Sequence, residues 1–85
     1  MIVSDNGFSV QLAKGYRVRY REGDKSLLAD MEFATLPTGL ILYLGSIKNW
    51  LPPNDKELID EAKRNKIVEN IRSAYAFVGF EIDVL

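Results

Sequence analysis

Through the first fifty residues, apolar positions alternate with polar ones in short runs, and turn chemistry closes each run. Asn6-Gly7 stands between Ile2-Val3 and Phe8–Leu12; both residues tolerate positive φ, which makes the pair a strong hairpin signal. Ala13-Lys14-Gly15 separates Leu12 from Tyr16, with Gly15 placed for a left-handed position. Gly23-Asp24 divides the run Tyr16–Glu22 from Lys25–Ala34, and Pro37-Thr38-Gly39 precedes Leu40–Leu44, a proline-led turn closed by glycine.

A one-residue slip turns every side chain of a strand to the other face, so these turns can be tested against each other. A two-residue Gly23-Asp24 loop sets Tyr20 opposite Leu27, Val18 opposite Ala29 and Tyr16 opposite Met31. A three-residue Ala13–Gly15 loop sets Leu12 opposite Tyr16, Val10 opposite Val18 and Phe8 opposite Tyr20. Val3 falls opposite Val10, and Phe33 opposite Tyr43. All four turns agree on one continuous apolar face. The opposite face then carries Ser9, Gln11, Arg17, Arg19, Arg21, Ser26, Asp30 and Glu32, mixed with Leu28, Leu40, Leu42 and Leu44.

The period changes after Trp50. Ile67, Ile71, Ala74 and Val78, flanked by Val68 and Tyr75, share one stripe at helical spacing. Leu58, Ile59 and Ala62 project to nearly the opposite side, so a single helix from Asn54 is out of phase with its own core. The spacing predicts a helix starting near Asp60, whose side chain can cap the first turn, and ending at Gly79. Residues 51–59 become an irregular connection that tucks Leu58 and Ile59 inward. Phe80, Ile82 and Val84 alternate with Glu81 and Asp83 as a last strand. The fold class is α+β: an antiparallel β-meander of about five strands, one helix packed on its apolar face, and a C-terminal strand. Residues 1–85 form a single domain.

At 47% apolar and 27% charged residues, with a net charge of −1, the composition excludes a disordered chain. The longest apolar run, Leu40–Leu44, is strand-sized, and the N-terminus carries no basic region or apolar signal core, so the expectation is a cytoplasmic protein with no membrane partner. The chain has no cysteine and no histidine. Thiolate chemistry and zinc–thiolate sites are thereby excluded, and the usual neutral-pH base and commonest transition-metal ligand are missing. No catalytic, cofactor or metal site is expected. Asp55, Glu57, Asp60 and Glu61 read as helix-entry acids, and the glycines match no phosphate-loop spacing.

Two patterns remain as contact candidates. Alternation lines up Arg17, Arg19 and Arg21 roughly 7 Å apart on one strand face. Such a row is either a solvated face or a protein contact. Nucleic acid is disfavoured, because Tyr16 and Tyr20 point to the other face and the pI is 5.3. Trp50, followed by Leu51-Pro52-Pro53, either plugs the end of the core or anchors a partner. The candidate partner-binding set is Arg17, Arg19, Arg21, Leu28, Leu42, Leu44 and Trp50, because leucines beside arginines on an open face mark contacts.

Trp50-x-Pro52-Pro53, an acidic helix entry, Ile67-x-x-Asn70-Ile71, then Gly79 and a short alternating strand resemble a family of small bacterial immunity proteins of polymorphic toxin systems. Glu32 and the basic, aromatic strand Tyr16–Arg21 fit the same pattern, and the resemblance spans most of the chain. It implies a cytoplasmic, single-domain, non-enzymatic protein encoded beside a toxin that it binds and neutralises. It carries no catalytic or toxin-binding residue over to a position here. The alternative is a small self-associating domain that forms a homodimer through the outer sheet face.

Overall fold

A computed structural model describes residues 2–3, 7–33 and 39–85. Among the described residues, six strands form one sheet in chain order: β1 (Ile2–Val3), β2 (Phe8–Ala13), β3 (Arg17–Glu22), β4 (Lys25–Phe33), β5 (Gly39–Leu42) and β6 (Glu81–Val84). Helix α1 (Glu61–Phe77) links β5 to β6 and covers one sheet face. The β1–β5 meander is antiparallel as expected, and the sheet as a whole is mixed because β6 pairs parallel to β5. Parallel neighbours need a crossover of a dozen or more residues, and the helix supplies it.

The β3–β4 ladder has the predicted register, with Tyr20 opposite Leu27 and Val18 opposite Ala29. Gly23 supplies the positive φ (61°) of its tight loop. Between β2 and β3 the pairing moves by two positions, placing Val10 opposite Tyr20 and Leu12 opposite Val18. The turn extends through Tyr16, which adopts φ 56° after Gly15 at 74°, and an even shift keeps every side chain on its face. In β1, Ile2 replaces Val3 opposite Val10. Asn6 of that predicted turn lies outside the described residues.

The β4–β5 register overturns the largest part of the expectation. Phe33 pairs with Leu40 and Met31 with Leu42, three positions away from the predicted Phe33–Tyr43 pair. An odd shift exchanges the faces of β5. Leu40 and Leu42 enter the core, while Ile41 joins the outer face. Pro37 and Thr38 of the predicted turn lie outside the described residues, and Gly39 already belongs to β5. Burying a leucine is worth about 1.5–3 kcal/mol. Two leucines therefore outweigh a turn preference.

The core packs Phe8, Val10, Val18, Tyr20, Leu27, Ala29 and Met31 against Ile67, Val68, Ile71, Ala74 and Tyr75 of the helix. Asp60 caps α1 by accepting from the Lys63 N–H at 2.7 Å. At the other end the Phe80 N–H donates to the Tyr75 carbonyl and the Gly79 N–H to that of Ala76. This is the Schellman pairing, which needs the left-handed φ of 92° at Gly79. Its hydrophobic closure is the edge-on contact of Tyr75 with Phe80, 6.2 Å between centroids. Of the residues predicted to face inward, Leu58 is 88% exposed and Val78 48%, and Leu12, Tyr16 and Phe33 of the apolar sheet face are exposed as well. Val78 is the helix C-cap, where the chain leaves the helical path that would carry its side chain onto the stripe. Leu58 alternates with the buried Ile59, and only one of two adjacent extended residues can face inward.

A polar chain ties helix to sheet at the rim of this core. Asn70 Nδ2 donates to the Tyr20 hydroxyl at 2.9 Å, and that hydroxyl donates to Glu22 Oε1 at 2.8 Å. Lys63 Nζ holds the second Glu22 oxygen. Burial pushes the Tyr20 phenol well above its ordinary range, which keeps it protonated as a donor. For Glu22, burial pushes upward, but hydrogen bonds from Lys63 and Tyr20 and the Lys63 and Lys25 charges outweigh it, so its pKa lies below the ordinary 4.5. A carboxyl with a depressed folded-state pKa stabilises the fold above its unfolded value and loses that contribution as pH falls. Glu22→Gln is therefore expected to lower Tm near neutral pH, and the gap to wild type should narrow below about pH 4.5. A gap constant with pH would mean that the Glu22 charge does not contribute.

Candidate functional site

The outer sheet face is built by the polar half of each strand's alternation. Arg17, Arg19 and Arg21 stand exposed along β3, held outward because Val18 and Tyr20 between them are fully buried. Their cross-strand neighbours on β4 are Asp30, Leu28 and Ser26, and on β2 they are Ala13, Gln11 and Ser9. Arg17 Nε lies 3.7 Å from Asp30 Oδ1, both well exposed, so this pair is weak. Arg19 and Arg21 have no ion-pair partner among the described residues.

Leu28 is half-buried directly opposite Arg19. The other predicted leucines are elsewhere. Leu42 is wholly buried, and Leu44 packs half-buried against the core. Leu44 begins a single 3₁₀ turn, Leu44–Ser46, that leaves the sheet, and Ser46 Oγ accepts from the Asp30 N–H beside it. Trp50 is also in the core: its indole stacks on Tyr20 at 6.4 Å, and Tyr20 stacks on Phe8 at 5.7 Å. The Lys25 ammonium sits 5.8 Å from the Trp50 ring and also binds Glu57. Trp50 thus plugs the end of the core, and neither it nor Leu42 offers an accessible anchor.

Ile41 and Tyr43 take the places that Leu40 and Leu42 were expected to hold. The β4–β5 register sets Ile41 opposite Glu32, and the Tyr43 N–H bonds the Asp30 carbonyl. The neighbouring Glu32 carboxylate raises the Tyr43 pKa. The outer face therefore grades from three arginines on β3, through Leu28, Ile41 and Tyr43, to the carboxylates Glu32, Glu81 and Asp83 on β4 and β6. Among the described residues, no cluster of acidic side chains has the grouping a metal ion requires. Among the described residues, no helix is long and apolar enough to cross a membrane.

A family model described as immunity protein 74 matches residues 9–85. The match takes in all but the first residue of β2 and everything through β6, and so includes the arginine row, the helix and the last strand. No curated protein and no solved structure matches significantly. With nearly its whole length inside that match, the chain belongs to the immunity protein 74 family.

Proposed function

We propose that this protein is a single-domain, non-enzymatic immunity protein that binds and neutralises a cognate bacterial toxin in the cytoplasm. The contact surface is the outer sheet face, with Arg17, Arg19 and Arg21 meeting carboxylates of the toxin around Leu28. The observation that carries this reading is the row of exposed arginines, of which Arg19 and Arg21 have no ion-pair partner among the described residues, beside a half-buried leucine on the outer strand face. Arginine heads are weakly hydrated and match carboxylates in two parallel hydrogen bonds, so they gain most when a partner excludes water.

The test is co-purification with the product of the neighbouring reading frame, using the double variant Arg19→Glu with Arg21→Glu. Close charge pairs across an interface couple by about 1.5–7 kcal/mol, so the variant is expected to bind at least about tenfold more weakly. Its Tm should stay near wild type, because exposed substitutions usually change stability by about 0.5 kcal/mol or less. Unchanged affinity would remove the arginine row from the interface.

Self-association through the same face is a second reading, and its charge gradient favours it. A copy related by a two-fold axis would set the β3 arginines against Glu32, Glu81 and Asp83. With Leu40 and Leu42 in the core, little apolar area is left to drive it. A salt-sensitive dimer formed by the protein alone would assign the face to self-association instead.

A further inference from the structure

The β6 edge carries an unfilled pairing surface, and it lies apart from the arginine row. Leu85 donates its N–H to the Leu42 carbonyl and accepts from the Leu44 N–H. In a parallel ladder such residues alternate, so Asp83 and Glu81 also turn their backbone groups toward β5, while Ile82 and Val84 turn theirs away. Among the described residues nothing pairs with β6 on that side. Beside the edge runs a groove of about 400 Å³ between strand and helix, walled by Arg72, Ser73 and Ala76 of α1, by Phe80, and by Glu81, Ile82 and Asp83 of the strand itself. Arg72 has no carboxylate partner among the described residues.

We infer that this edge takes an extended segment of a partner protein as a seventh strand, and that the segment is basic on one side and apolar on the other. The backbone groups of Ile82 and Val84 supply the ladder hydrogen bonds, and alternate side chains of the guest enter the groove or face outward. Those facing outward lie beside Glu81 and Asp83, so they are lysine or arginine. Those entering the groove meet the Phe80 ring and the Ala76 methyl, so they are apolar, with room for one acidic group against Arg72. A second copy of this chain is the wrong guest. Antiparallel pairing of β6 with itself would bring Glu81 and Asp83 against the same two carboxylates, and facing like charges destabilise such pairs.

The inference stands independently of the outer-face reading, and one experiment separates them. The probe is a short synthetic peptide alternating lysine and valine. The controls are its glutamate–valine counterpart and the lysine–valine peptide N-methylated throughout, which cannot donate to a ladder. The lysine–valine peptide is expected to slow hydrogen exchange at the Ile82 and Val84 amides about tenfold or more, and both controls to leave it unchanged. Val84→Pro removes one edge donor while sparing the β5 ladder, a position proline tolerates, and should abolish the response. Arg19→Glu with Arg21→Glu should retain it. No protection at Ile82 and Val84, equal protection by either control, or a response centred on Arg17–Arg21 would overturn the inference. If Val84→Pro does not fold, the N-methylated peptide on the wild-type chain decides.

Discussion

Leu42→Glu is expected to leave no folded protein. Leu42 has no solvent exposure and lies between Met31 and Val84 across the sheet, on the face that the helix covers. Losing its burial removes about 1.5–3 kcal/mol. Placing a carboxylate there without a partner adds several kcal/mol more, or forces it to protonate. An 85-residue chain has a total stability on the order of 5–10 kcal/mol. Circular dichroism should show no cooperative melt at ambient temperature. Leu28→Glu, by contrast, changes a half-buried side chain on the outer face and should give a folded protein with a small Tm change. The reverse outcome, with Leu42→Glu folded and Leu28→Glu unfolded, would mean that the faces of β4 and β5 are exchanged.

The second large effect is expected at Ile71→Ala. This residue is at the centre of the helix stripe and wholly buried. Truncation removes burial and leaves a cavity that backbone on both sides holds open, a loss of about 2–5 kcal/mol. Urea unfolding should show a lower midpoint with an unchanged slope. Val78→Ala, at the exposed C-cap, serves as the contrast and should cost under about 0.5 kcal/mol. A loss below about 1 kcal/mol at Ile71 would mean that the helix does not turn this stripe inward.

What could be read from the sequence depended on how tightly each turn fixed its strands. Gly23-Asp24 leaves a single two-residue closure, and the Tyr20–Leu27 register follows from it. The helix start was legible because Leu58 and Ile59 are out of phase with Ile67 and Ile71, although only Ile59 turned inward. The arginine row needed nothing beyond strand alternation. The face of β5 was not legible: Leu40, Ile41, Leu42 and Tyr43 are apolar or amphipathic at every position, so periodicity could not choose between the two parities. The Asn70–Tyr20–Glu22–Lys63 chain was out of reach for a different reason. Its members come from β3 and α1, and only the tertiary packing of helix on sheet brings them together.

The parallel pairing of β5 with β6 divides the molecule by the time at which its parts can form. The β2–β3–β4 meander closes through short loops, so its contacts are local and inexpensive in chain entropy. Pairing Gly39 with Glu81 requires the whole intervening chain, helix included, to be brought round first. The arginine face thus belongs to the early, locally determined half, whereas β6 and its open edge complete the fold last. A guest strand bound along that edge would therefore stabilise the latest-forming part of the protein, and by mass action raise the stability of the whole.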